Sequence, residues 1–252
     1  MTPWVSRLIA TNVAVFFLCQ VQKGLEQHLA LFPAFVGSEP WTPLTYMFVH
    51  ASITHIFFNM LMLYFVGPRL EQRIGGANFI ALYLVSGLAG AALSFFTPTT
   101  FIVGASGAVN GVVLAYALIW PRDRIYIWGI LPVEIRVLVL LSAAYAIFGG
   151  LGGARDGTAH FAHLGGYMGG FLYLKWAERN SASRQYRKRL DSALYGDGGA
   201  RAAEPEWDAI RRDGLHPLNL EELDRIREKT RTHGPGSLTA DERAFLHRMS
   251  TR

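Results

Sequence analysis

Ser106, His163, His55 and Asn59 are the residues whose types and settings could do chemistry together. Ser106 sits in Gly104-Ala105-Ser106-Gly107 at the head of an apolar run. His50, His55 and Asn59 share a second apolar segment, and His160 and His163 a third. A serine, a histidine to serve as its base, and side-chain donors for an oxyanion are the parts of a serine hydrolase. Alone, G-x-S-G says little, because small residues recur wherever membrane helices pack closely. Together, inside hydrophobic segments where polar groups are costly, these residues point to an enzyme that cuts peptide bonds within a membrane.

The elements that must carry them are membrane spans. The chain has 252 residues, 51% of them hydrophobic and 17% charged, with a formal charge of +5. That balance fits a polytopic membrane protein with a polar appendage. Charge is unevenly placed: residues 1–176 hold 9 Lys+Arg and 6 Asp+Glu, residues 177–252 hold 15 and 13. The modest excess of positive charge suits anionic lipid head groups and makes no case for nucleic acid. Cys19 is the single cysteine, so an intramolecular disulfide is excluded. Leu8–Leu18 follows Arg7 with no small-x-small cleavage site behind it, so it reads as a retained first span and not a removable signal.

Hydropathy gives apolar segments near 6–22, 47–66, 77–96, 102–120, 133–150 and 158–176. Each is close to the ~20 residues that cross ~30 Å of hydrocarbon as a helix. The expected fold is therefore all-α, a bundle of six transmembrane helices plus a short helical tail. Gly67-Pro68, Gly75-Gly76, Thr97-Pro98, Pro121 and Gly149 through Gly157 read as connectors. Pro132 is placed in the first turn of the fifth span, with Glu134 and Arg136 at the interface. With the N-terminus inside, Arg7, Arg69, Arg73, Arg122, Arg124, Arg136 and Lys175 face the cytoplasm, while Lys23 and Arg155 face outward. The positive-inside rule then puts both termini in the cytoplasm of an inner (plasma) membrane protein. Residues 23–46 form a long, rather apolar outer loop, in which Trp41 reads as an interfacial anchor.

In that topology the second, fourth and sixth spans all begin at the outer face. Ser106 and His163 come out about 10 Å below it at ~1.5 Å per residue. Ser52 is a fitting N-cap, which puts His55 in the first turn and Asn59 four residues on, on the same face. Gly107 and Gly111, and Gly166 and Gly170, are spaced to let these helices approach closely.

The motifs His50-x4-His55-x3-Asn59, Gly104-Ala105-Ser106-Gly107 and Ala162-His163-x2-Gly166-x3-Gly170 occur in the order and on the spans of a known family. Across residues 1–176 the chain resembles the rhomboid intramembrane serine proteases. Glu71-x3-Gly75 also resembles a structural element of that family. The resemblance implies a Ser-His dyad: Ser106 as nucleophile, His163 as general base and acid, and an oxyanion held by the Ser106 N–H with His55 and Asn59. It further implies that transmembrane protein substrates enter sideways between the second and fifth spans, and it calls for no cofactor. Asp156, the nearest carboxylate, belongs to the outer loop, so a dyad is the economical reading. His50 is ranked as structural or oxyanion-adjacent and Gly104 as part of the serine turn.

Blander readings stand beside these. A buried histidine in an apolar helix is more often a packing residue, which suits His160. A histidine cluster could bind metal, but H-E-x-x-H, an acidic partner within the spans and a cysteine pair are all missing from the sequence. Asn110 stands where the family often carries an aromatic packed on the catalytic histidine, and Thr42 where many members have arginine after Trp41. Two rivals remain: a rhomboid-like protein that binds transmembrane segments without cutting them, and a small transporter using histidines as a proton relay. The set Ser106, His163, His55 and Asn59 argues against the first. The lack of matched broken-helix halves argues against the second.

Residues 177–206 read as a basic stem and linker and 207–252 as a small helical cytoplasmic tail. Leu220, Leu223 and Ile226 make one helical face, Gly234-Pro235-Gly236 breaks it, and Thr239 with Glu242 forms a capping box for a last helix. A hairpin that small is marginal alone. It either docks on a partner, on the membrane domain or on another copy, or is a solvated regulatory tail.

Overall fold

The computed structural model describes residues 1–127, 130–152, 158–181, 210, 215–234 and 237–250. The chain divides into two compact units, Met1–Arg179 and Asn180–Arg252. The first is a helical bundle. After α1 (Pro3–Val21) come two short helices, α2 (Leu25–Leu29) and α3 (Thr42–Thr45), then α4 (Ile53–Ile74), α5 (Gly76–Leu93) and α6 (Ser106–Ile119). A hairpin of β1 (Arg124–Ile127) and β2 (Leu131–Glu134) precedes α7 (Ile135–Gly152) and α8 (His160–Arg179). The six longer helices fall on the six apolar segments. Among the described residues, α1, α4, α5 with its continuation to Phe96, and α7 are long and apolar enough to cross a membrane.

The other two depart for reasons tied to the site. Helix α6 has 14 residues, a length of about 21 Å, which is short of the ~30 Å of hydrocarbon. The sequence reading carried this helix from residue 102. Instead residues 101–105 are non-helical, and Ile102 pairs with Leu31 in an isolated antiparallel bridge. The helix therefore opens on Ser106 itself. Helix α8 is diluted by four glycines and two histidines, the residues that bring it into contact with its neighbours.

Those glycines fix the centre of the bundle, where α8 packs on α5 and α6 and α5 packs on α6. A Cβ at Gly166 would stand 2.0 Å from the Gly107 carbonyl oxygen, and one at Gly170 2.6 Å from the Gly111 Cα. On a neighbouring face of α8, a Cβ at Gly165 would stand 2.3 Å from the Ala89 oxygen of α5. Backbone thus meets backbone on two faces, the contact that stabilises helices when water is not there to drive them together.

Two connectors depart from expectation. Helix α4 runs through Gly67-Pro68 and ends only at Gly75, whose N–H bonds to the Glu71 oxygen. Proline costs a helix one hydrogen bond, but here the following turn is held from outside. The Glu71 carboxylate accepts from Trp4 N at 3.1 Å, Val5 N at 3.0 Å and the Thr2 hydroxyl. It caps the otherwise unpaired amides at the start of α1 and locks α1 to α4. The second departure is Pro132, which pairs with Tyr126 in the hairpin instead of opening α7. In a two-stranded ribbon every strand is an edge, so a residue without an N–H is accommodated. The Arg-Ile-Tyr-Ile of β1 has the β-branched and aromatic content that strands favour.

In the second unit, α9 (Pro217–His233) and α10 (Ala240–Ser250) form a helical pair. Ile210, Leu223, Ile226, Leu238, Phe245 and Leu246 make its buried cluster. Leu220, expected on that face, is only half-buried and outside the cluster. The capping box is present: Thr239 N–H donates to Glu242 Oε2 at 2.7 Å and Glu242 N–H to Thr239 Oγ1 at 3.2 Å. Gly234 ends α9 at φ 76°. Asp156, the stem beyond Ser181, the linker, Trp207 and Pro235-Gly236 lie outside the described residues.

Candidate active site

Three helices and one loop assemble the candidate residues. Ser106 is the first residue of α6, so its N–H has no acceptor within the helix and lies at the positive end of the helix dipole. His163 lies in the first turn of α8. The glycine contacts between α6 and α8 bring the two side chains together, with His163 Nε2 and Ser106 Oγ 2.7 Å apart. That is hydrogen-bond reach for a base that would take the serine proton.

The loop before α6 is held from several sides. Gly104 N–H donates to the Tyr46 carbonyl at 3.0 Å, and Tyr46, 1% exposed, donates its own hydroxyl to the Gly87 carbonyl at 2.7 Å. Ala105 N–H donates to His50 Nε2 at 3.3 Å. His50 precedes α4 and is buried, with its ring edge-on to that of His55 at 5.0 Å between centroids. The hydrogen bond from Ala105 ties His50 to the backbone just before Ser106. Gly104 has φ 122°, and a Cβ there would come within 2.6 Å of His55 Nε2 and 3.7 Å of Ser106 Oγ. Only glycine lets this loop pass so close to the imidazole.

His55 sits in the first turn of α4, where Ser52 Oγ accepts its N–H at 3.2 Å as the capping reading required. Asn59 lies one turn further, 7% exposed, with one amide N–H donated to the His55 carbonyl at 3.0 Å. Its second N–H is uncommitted, since a carboxamide carries two. His55, Asn59, Ser106, Asn110 and His163 all line one cavity of about 670 Å³. Helices α4 and α7 close it from either side, each packed on α6.

Asn110 is on this cavity wall, one turn below Ser106, with no hydrogen bond to His163. His160 stands apart: it packs edge-on against Tyr145 of α7 at 5.1 Å, and a Cβ at Gly149 would meet its ring at 2.2 Å. The loop of residues 23–46 is braced without an arginine at position 42. Trp41 Nε1 donates to the His28 carbonyl at 2.8 Å, Thr45 Oγ1 to that of Leu29 at 2.7 Å, and buried Thr42 to that of Glu39 at 2.8 Å. Sequence reading missed Tyr46 and Tyr167 in the site. Tyr167 was open to discovery, being four residues beyond His163 and so on its face. Tyr46 was not, since the bonds that tie it to the site, to Gly87 and Gly104, are long-range.

A mostly helical, multi-pass membrane bundle with a serine and a histidine in contact at a shared cavity defines a narrow class of protein. The family model for the Rhomboid domain matches residues 37–178, and the chain belongs to the rhomboid family. It is 37% identical over 138 residues to RHOMBOID-like protein 4 of Arabidopsis thaliana, covering 54% of this chain and 34% of that protein. To Rhomboid protein 1, mitochondrial, of Saccharomyces cerevisiae it is 32% identical over 197 residues, covering 74% and 56%. To Rhomboid protease GluP of Bacillus subtilis it is 30% identical over 171 residues, covering 65% and 32%. The chain thus aligns with about a third to somewhat over half of these relatives' lengths.

Proposed function

We propose that this protein is an intramembrane serine endopeptidase that works through a dyad of Ser106 and His163. The observation that carries the reading is their 2.7 Å contact inside a cavity walled by apolar helices. His163 takes the proton as Ser106 Oγ attacks the scissile carbonyl, then returns it to the leaving amine. Water, deprotonated by the same imidazole, then hydrolyses the acyl ester and frees Ser106. The Ser106 N–H, with donors from His55 and Asn59, would hold the oxyanion, and loss of one such donor typically costs ~10²-fold or more in rate. For Asn59 this requires its amide to turn from the His55 carbonyl or to use its second N–H. The substrate is a transmembrane segment admitted between α4 and α7, unwound near the cut, with a small side chain at the scissile position. We place the termini and the 207–252 unit in the cytoplasm and the cavity mouth on the outer side of the plasma membrane. That unit is the part available to a protein partner or a second copy.

The test is cleavage of a panel of single-span substrates in liposomes by wild type, Ser106→Ala and His163→Ala, with fluorophosphonate labelling alongside. Cleavage and labelling by wild type, both lost in Ser106→Ala, support the reading. Folded wild type that neither cleaves nor labels would overturn it in favour of a rhomboid-like binder of transmembrane segments.

A further inference from the structure

The cavity does not end at the dyad. Helices α6 and α8 run parallel, with Gly107 against Gly166 and Gly111 against Gly170. Residues four beyond Ser106 and His163 therefore form a second layer, one turn or ~6 Å deeper. Those residues are Asn110 and Tyr167, and both line the cavity. Ser142 of α7 joins them, its Oγ 2.6 Å from the Tyr167 hydroxyl.

Counting protons shows what this layer offers. The Ser142 hydroxyl has the Leu138 carbonyl at 2.8 Å, the Val139 carbonyl at 3.1 Å and the Tyr167 hydroxyl at 2.6 Å within reach. With its one proton on a carbonyl, Tyr167 donates to Ser142 Oγ and both hydroxyl protons are spent inside the protein. The phenolic oxygen of Tyr167 keeps an accepting lone pair, and Asn110 supplies the layer's uncommitted N–H groups together with an accepting oxygen. Val109, Val113 and Leu138 supply apolar walls. Asp, Glu, Lys and Arg are absent from the described lining, so an entering charge would be buried without a partner.

We infer that this second layer is a side-chain pocket selecting a neutral hydrogen-bonding group of the substrate, a hydroxyl or carboxamide, over an apolar group of equal size. Asn110 makes the selection and Tyr167 assists as an acceptor. The inference deepens the protease reading and rests on it. A pocket whose polar groups are left unpaired by the wrong side chain discriminates more strongly than one sensing shape alone. The competing account is that Ser142 and Tyr167 only clamp α7 to α8 while Asn110 is indifferent to the substrate.

The experiment uses the full chain in liposomes with substrates carrying Ala or Ser, and Val or Thr, at each position around the cut. It measures kcat/KM ratios within each pair for wild type, Asn110→Leu and Tyr167→Phe. At one position, wild type prefers the hydroxyl member by about tenfold, Asn110→Leu abolishes or inverts the preference, and Tyr167→Phe reduces it. Equal rates within the pairs for wild type, or a preference that survives in Asn110→Leu, would overturn the proposal. Cleavage that persists in Ser106→Ala would instead strike the protease reading itself, and fluorophosphonate labelling of each variant keeps the two failures apart.

Discussion

The two units of this chain are held together by opposite means. In the membrane unit, α5, α6 and α8 meet through glycine, with carbonyl oxygens and Cα atoms closer than any Cβ would permit. Its buried carboxylate, Glu71, serves as a cap and not as an ion-pair partner. In the second unit a small apolar cluster is clasped by charge: Glu242, 6% exposed, accepts from Arg225 at 2.8 Å and Lys229 at 2.8 Å as well as from Thr239 N–H. The solvent explains the difference. Lipid supplies no hydrophobic drive between helices, so packing at close range must do the holding. Water supplies that drive, but a cluster this small needs capping and charge to supplement it.

The sharpest way to break the comparison is Gly166→Leu. The side chain would strike the backbone of Gly107, which cannot move like a side-chain tip, so a loss of about 3 kcal/mol or more is expected. Thermal unfolding in detergent should show it, while hydrogen exchange in α9 and α10 stays unchanged.

Gly104→Ala separates fold from site. It places a methyl at φ 122° against the His55 ring. The backbone cost is roughly 1–2 kcal/mol, and displacement of the imidazole should lower kcat about 10²-fold. Unfolding and cleavage measured on one preparation should therefore diverge, with activity falling much further than stability.

Asn59→Ala is gentler on the fold, because it removes a hydrogen bond within its own helix. We expect about 10²-fold lower kcat with a measurable remnant, in line with loss of one oxyanion donor. Complete loss of cleavage, with fluorophosphonate labelling also lost, would assign Asn59 a structural part instead.

The smallest effect belongs to the tail. Lys229 foremost, then the Thr239 N–H, hold the Glu242 carboxyl down at about 2. A carboxylate depressed in the folded state contributes stability that is fully present above its unfolded pKa of ~4.3 and fades as pH falls toward the folded value. Exchange protection of α9 and α10 in the full chain should thus decline between about pH 4 and 2. In Glu242→Gln it should already be lower at neutral pH and largely lose that acid dependence. A tail indifferent to both changes would show that its charges are ornamental.

Much of this molecule was legible in its sequence because the signals were local. The apolar segments gave the helices, the order of the motifs gave the family, and Ser52 and Thr239–Glu242 announced helix starts that the structure reproduces. Gly107/Gly111 and Gly166/Gly170 were spaced for a close approach, and they are the points at which α6 and α8 touch. Misreadings came where a distant partner overruled a local rule. Pro68 is a breaker on paper, yet Glu71 fastens the turn beyond it to α1. Pro132 looked like a helix start, yet pairing with Tyr126 made it part of a strand.

The sequence by itself determined which residue types were at hand and which apolar helix would carry each, because hydrophobic length and helical period depend on neighbours along the chain. Residue types and spacing could not by themselves determine which of His50, His55, His160 and His163 would meet Ser106; only the family resemblance singled out His163. The tertiary structure decided that: α8 seats its glycines against both α5 and α6, which turns His163 to the serine, while His160 faces Tyr145 and His50 supports Ala105. Those choices depend on rotation and contact between helices dozens of residues apart, and they are settled by where backbones can touch.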